Sequence, residues 1–375
     1  MPFRLHATRI NWVNSSFLIG SALISVTAVP LYLWHYGIDG FQTVLFFAFF
    51  CATGLSITVG YHRLFAHLTF RARWPVRLFT LVFGAAAFEN SVLEWVSDHR
   101  RHHQHTDHDD DPYSVTQGFW HAHMGWILFK LDAEPPRDNV TDLEKDVLVR
   151  WQDRFYLPIA IGTGFLLPAL LGFLHAGWPG ALGGVLLAGV ARVTAVQHMT
   201  FCINSLCHTI GRRPYSSRCS ARDSWIMALF TFGEGYHNYH HEFQHDYRNG
   251  VRWWQWDPTK WTIWTLEKIR LVRGLRRVPH ERILLAQLAE TRRRLSALLS
   301  SPPRPLPERL HQMLRASDAK LAELAARWTA AKTEYADRAD VQFNRARAGL
   351  TELRRELRQA VRLLSQVRAP AGGGR

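Results

Sequence analysis

The chain has 375 residues, including 15 Trp and 22 Phe, and a net charge of +14. That length allows one large domain plus an appendage. Cys51, Cys202, Cys207 and Cys219 have no zinc-finger or redox spacing, and Cys51 and Cys202 sit in or beside apolar runs, which points to small buried hydrophobes in a reducing compartment.

Residues 10–34 and 41–61 form two apolar runs, each near the roughly 20 residues that a helix needs to cross a bilayer. The first is too long for a signal-peptide core and lacks a small-residue cleavage site, so no cleavable signal is expected. Trp12 and Trp34 suit the interfacial belts, and Pro30 predicts a kink near the far end of the run. Residues 74–95 are apolar but interrupted by Arg77, Glu89, Asn90 and Glu94, which favours an amphipathic helix on the membrane or over a site. Residues 157–174 and 181–200 are the next apolar runs; Arg192 lies near enough to the end of the second to snorkel.

The connections 35–40 and 175–180 contain no Lys or Arg, whereas Arg4, Arg9, the 62–156 segment and the tail are basic. The positive-inside rule then places both termini in the cytoplasm. The reading is an all-α membrane protein: four transmembrane helices in two hairpins, a cytosolic helical cap, and a C-terminal helical tail over 276–375 after a membrane domain over 1–275. Residues 300–307 interrupt the tail with four prolines, and a 3–4 spacing from Leu310 to Leu357 has a coiled-coil or hairpin pattern. The arginine-rich face of the tail suits anionic lipid better than nucleic acid, so no nucleic-acid partner is expected.

Three histidine clusters fall on the cytoplasmic side of this layout. His99, His102 and His103 are spaced i, i+3, i+4, one face of a helix. His237, His240 and His241 repeat the H-x-x-H-H spacing, while His62 and His67 form an i, i+5 pair at the end of the second run. His208 follows Asn204 by four residues, so both face one way, and the Asn amide is able to hold a metal-bound water. Nine imidazoles exceed the three or four that zinc takes, and two metals fit the count. Neutral ligands leave the metal charge uncompensated, so carboxylates behind the rings are expected from Glu94, Asp98, Asp107, Asp111, Glu234, Glu242 and Asp246. His105, His108, His121, His123, His198 and His245 are expected to be hydrogen-bonding neighbours. H-E-x-x-H is absent, which argues against a zincin protease. Residues 107–112 lack the glycine and closing glutamate of a calcium loop.

These residues resemble the stearoyl-CoA desaturases and their bacterial relatives over roughly residues 10–260. The resemblance rests on Gly60-Tyr-His62-Arg-Leu-Phe-Ala-His67, on Glu94-Trp95 followed by Asp98-His99-Arg-Arg-His102-His103, on Asp107 with Asp111-Pro112, on Asn204-Ser-Leu-Cys-His208, and on Gly233-Glu-Gly-Tyr-His237-Asn-Tyr-His240-His241. It implies an integral, multi-pass protein of a bacterial inner membrane, with the active site cytoplasmic. It also implies a di-iron enzyme that uses molecular oxygen and two electrons to place a cis double bond, at the ninth carbon, in a fatty acyl chain. By resemblance His62, His67, His99, His103 and His240 hold one iron. His102, His208, His237 and His241 hold the other, with Asn204 through water. Asn90 matches a position that contacts substrate near its carbonyl, and Trp95 walls the acyl tunnel. Asp98 and Phe201 are further candidates for substrate contact. Animal members carry Trp where Phe201 stands and Arg where Ser97 stands, so acyl carrier protein or a lipid-linked chain remains open beside acyl-CoA. No cytochrome b5 domain is recognised, so a separate ferredoxin or cytochrome b5-like donor is expected. Phe46 and Phe50 are candidates for the closed end of the tunnel. A membrane di-iron hydroxylase and a histidine-rich metal transporter or sensor are the rival readings. A transporter should carry its ligands at mid-bilayer rather than at one side.

Overall fold

A computed structural model describes residues 9–130 and 136–300, with isolated residues between 308 and 326. The chain divides after Val278 into two compact units. Of the second, the helix His280–Ser300 is described, and the coiled-coil expectation for 310–357 lies outside the described residues.

In the first unit, α1 (Trp12–Tyr36) begins at an Asn11 cap whose side chain accepts the Asn14 amide, and it continues past Pro30 without interruption. α2 (Gly40–Ala66) starts at Asp39, which accepts the Gln42 amide at 2.7 Å. A third apolar segment, Tyr156–Thr209, is long enough to cross a membrane, as are α1 and α2. Its backbone leaves the helical region at Ala176 and Gly177, where Gly177 takes φ 62°. This break divides it into α6 (156–175) and α7 (178–209). The arms touch back to back, because a Cβ on Gly172 or Gly180 would meet the other's carbonyl, and one on Gly184 would meet that of Pro168.

The two short connections meet. His175 Nε2 lies 3.1 Å from Asp39 Oδ2, and Gln42 Nε2 donates to the Gly180 carbonyl at 3.0 Å. The first and second helix pairs therefore turn at the same end, and the opposite ends of α2 and α7 carry His62 and His208.

Residues 74–95 do not form the one helix expected. α3 (Trp74–Ala85) stops, Phe88 and Asn90 take positive φ (59° and 72°), and α4 (Val92–His105) restarts at a Ser91 cap. Ser91-Val-Leu-Glu94 is a capping-box sequence, and it marks the restart. α3 packs against the last turns of α2, where Gly60 leaves room for the Thr80 side chain. The all-α expectation also misses one small ladder. β1 (Arg71–Ala72) pairs antiparallel with β2 (Val272–Arg273) and ties the chain after α2 to the end of the unit. The remaining helices near the centre are α5 (Val147–Arg154), α8 (Trp225–Phe230), α9 (His237–Glu242) and α10 (Pro258–Lys268).

Two sequence readings are corrected. Arg192 does not snorkel: it is fully buried and donates to the carbonyls of Ala188, Ala86 and Gly164. Ala86 ends the α3 turn, so a buried guanidinium satisfies a carbonyl that the break at 86–91 leaves open. Cys51 is exposed on α2 rather than buried.

Candidate metal centre

The geometry starts with an unusual turn. The last stretch of α2, Ser56–Ala66, is wound as a π-helix, and the His67 amide donates to the His62 carbonyl at 3.1 Å. Five-residue winding brings an i, i+5 pair onto one face. His62 and His67 accordingly sit with ring centroids 4.8 Å apart. α4 supplies His99, His102 and His103, α7 supplies His208, and the short α9 supplies His237, His240 and His241.

These rings fall into two groups. His62, His67, His99, His103 and His240 form one, and His102, His208, His237 and His241 the other, with the ligand atoms of each group within 4.8 Å of one another. Within the first, Nε2 atoms approach at 3.0 Å (His62 and His240), 2.8 Å (His67 and His99) and 3.0 Å (His103 and His240). In the second, His237 Nε2 lies 3.0 Å from both His208 and His241. His105, His108, His121, His123, His198 and His245 stand outside both groups.

Four of the nine outer nitrogens have a polar group beside them. His62 Nδ1 lies 2.9 Å from Glu234 Oε2, and His102 Nδ1 lies 2.9 Å from Asp111 Oδ1. His208 Nδ1 contacts Ser220 Oγ at 2.7 Å, and that hydroxyl donates to Asp107 Oδ1. A Tyr113 hydroxyl lies 3.3 Å from His99 Nδ1. A ring that donates from Nδ1 presents a bare lone pair at Nε2. Burial, reinforced by neighbouring imidazoles, holds His99, His103, His237, His240 and His241 well below the ordinary histidine range. Converging neutral rings with lone pairs about 3 Å apart repel unless a cation lies among them, and nitrogen-only donor sets suit d-block metals. The residues therefore fit two metal ions.

Of the carboxylates expected behind the rings, Glu234 and Asp111 reach them directly and Asp107 through Ser220. Glu94 pairs with Arg137, Glu242 with Arg218, and Asp246 with Arg248. Asp98 lies beside the cavity described next, its carboxyl raised to about 7 by burial and the nearby Glu94. Sequence reading missed the partner of Glu234. Arg63, 1% exposed, bridges Glu234 and Asp257 at 2.7 and 3.0 Å. Its place beside His62 in the first box was the available signal.

A cavity of about 730 Å³ opens beside the first group, with His99 in its wall. Asn90, Trp95, Asp98, Phe201 and Asn204 all line it, as does Glu89. Trp95 stacks on His99 at 4.8 Å and donates its indole N–H to Glu89. Burial pushes the Glu89 carboxyl up to about 8, against hydrogen bonds from Thr200 and Trp95 that act the other way. Phe46 and Phe50 do not line this cavity. Phe46 packs on Val29, Tyr32, Leu186 and Leu187 within the bundle, and Phe50 sits 5.6 Å from the Phe232 ring.

Residues 40–268 match the family model described as fatty acid desaturase. The chain is 39% identical over 295 residues to acyl-CoA desaturase 1 of Saccharomyces cerevisiae, covering 76% of this chain and 56% of the relative. It is 42% identical over 279 residues to a probable acyl-CoA desaturase of Schizosaccharomyces pombe, covering 73% and 56%. It is 32% identical over 269 residues to an sn-1 stearoyl-lipid 9-desaturase of Anabaena variabilis, covering 72% and 94%. The chain thus spans just over half the length of the two yeast relatives.

Proposed function

The chain belongs to the fatty acid desaturase family, and on that premise we propose that it is an oxygen-dependent desaturase placing a cis double bond, at the ninth carbon, in a saturated acyl chain. The substrate is an acyl-CoA or related thioester, and electrons come from a ferredoxin or a cytochrome b5-like donor. The observation that carries this is His99, which belongs to the five-histidine group and also walls the cavity. A chain lying in the cavity therefore passes the metal centre at contact distance.

Two irons held by the nine histidines, with Asn204 in the cavity wall four residues before His208, would supply the oxidation of an unactivated C–H bond that side-chain acids and bases cannot perform. The chain's own groups prepare that chemistry. Trp95, Phe88 and Phe201 give the cavity an apolar wall that excludes water from the methylenes. Asn90, held at φ 72°, offers its amide to the thioester end. Asp111 and Ser220 fix the tautomers of His102 and His208, and Glu234 lies 2.9 Å from His62 Nδ1. Imidazoles also survive an oxidant that would carry thiolates up the oxidation ladder.

In the membrane we place four spans, α1, α2, α6 and α7, with the joined tips outside and the termini and histidines on the cytoplasmic side. Expression in a host lacking this activity, with fatty acid analysis and metal quantification, tests the reading. A new cis-unsaturated product with bound iron is expected. A hydroxylated product would move the protein to the hydroxylase reading. An unchanged profile with stoichiometric zinc would move it to a metal transporter or sensor.

A further inference from the structure

The outer face of the first unit carries a second cavity, separate from the metal centre. It is a groove of about 420 Å³ between α2, α3 and α10. Cys51, Ala52, Leu55, Val59, Phe79 and Leu266 make it apolar. From Cys51 to Val59 it follows α2 for about 12 Å, at about 1.5 Å per residue. Cys51 and Phe79 are exposed, so the groove opens on the surface that α2 presents to lipid.

One end of the groove is ringed by cations. Leu271 lines it there and accepts the Arg73 amide at 2.9 Å, with Arg270 preceding it in the chain. The ladder makes Arg71 and Arg273 direct partners. Val272 points inward and is buried, so Arg273 faces out. Arg71, Arg73, Arg270 and Arg273 are all exposed. Among the described residues none of the four has a carboxylate partner within ion-pair distance. Trp74 and Trp264 are exposed nearby, with Lys268 Nζ 5.2 Å over the Trp264 ring. Trp beside cations is the composition of a membrane–water interface.

An apolar slot along a membrane-spanning helix suits an acyl chain. Four guanidinium groups at its cytoplasmic end, with no carboxylate partner among the described residues, call for an anion. We propose that this groove is a binding site for an anionic phospholipid of the cytoplasmic leaflet, one acyl chain lying along α2 and the phosphate resting on Arg71, Arg73, Arg270 and Arg273. The inference rests on α2 spanning the membrane and not on the desaturase activity.

The test uses the full chain, purified in detergent and stripped of lipid. Its thermal midpoint is followed while phosphatidylglycerol or phosphatidylcholine is added. Phosphatidylglycerol is expected to raise the midpoint at lower concentration than phosphatidylcholine. The Arg71→Gln/Arg273→Gln double variant should lose about twenty-five-fold in apparent affinity for phosphatidylglycerol, at about fivefold per interfacial cation, and little for phosphatidylcholine. Ala52→Trp, which fills the slot, should abolish the response to both lipids. Equal responses to the two lipids in the parent would overturn the proposal. So would glycerol phosphate alone reproducing the shift, since no acyl chain would then be needed. A double variant that weakens electron-donor binding yet keeps its phosphatidylglycerol response would make the arginines a protein-docking surface and also overturn it.

Discussion

The two histidine groups reach similar ends by different support. The five-histidine group draws on α2, α4 and α9, and its one direct carboxylate contact among the described residues, Glu234, is shared with Arg63. Its anionic support is therefore largely offset. The four-histidine group has one imidazole fewer, and among the described residues no guanidinium lies on its carboxylates, Asp111 on His102 and Asp107 behind Ser220. An extra neutral ligand on one side stands against uncompensated negative charge on the other. Both arrangements help to balance a cation that neutral rings alone leave unbalanced.

The largest expected effect tests the membership of the groups. His102→Ala and His240→Ala should each abolish turnover, whereas His105→Ala, half-exposed and outside both groups, should leave it close to the parent's. Fatty acid analysis of expressing cells reads this directly, and an inactive His105→Ala would show that the ligand register is misplaced.

Next comes the charge behind the rings. Asp111→Asn should weaken metal retention in the four-histidine group by about 10–100-fold, seen as metal lost on dialysis against a chelator. Glu234→Gln should act more on folding than on metal, because it strips one carboxylate from a buried arginine. A lowered thermal midpoint with metal retained is the expected pattern, and the reverse pattern would remove the contrast between the groups. Ser220→Ala should cost less than Asp111→Asn, since only a hydroxyl relay worth about 1 kcal/mol is lost.

The smallest effect concerns the cavity. Glu89 has a native value of about 8 against an ordinary 4.5, so the folded chain keeps a proton there that the unfolded chain has released. Stability then falls as pH rises across that window. Glu89→Gln should flatten the fall of thermal midpoint with pH, and an unchanged slope would show that the carboxyl is ionised in the folded protein.

Much of this centre was legible because its ligands come in short, regular spacings. His99, His102 and His103 needed only helical periodicity, and the loops at 35–40 and 175–180, which lack Lys and Arg, signalled the hairpin tips. His62 and His67 were harder: i, i+5 fits no α-helical face, and only π-winding explains their meeting. Tyr113 and Ser220 carry no spacing signal, because they reach His99 and His208 through loop folding. Arg192 was misread because hydropathy records depth in the bilayer but not the open carbonyl of Ala86. The break at 86–91 was written in Ser91-x-x-Glu94, although the apolar run around it masked the cap.

The most direct test is a metal count on purified full-length parent, His102→Ala and His240→Ala. Two independent groups predict about two irons per chain in the parent, with each variant losing metal from its own group first and keeping the other's. A parent that saturates at one metal per chain, or variants that empty both groups together at every metal concentration, would contradict the two-centre account.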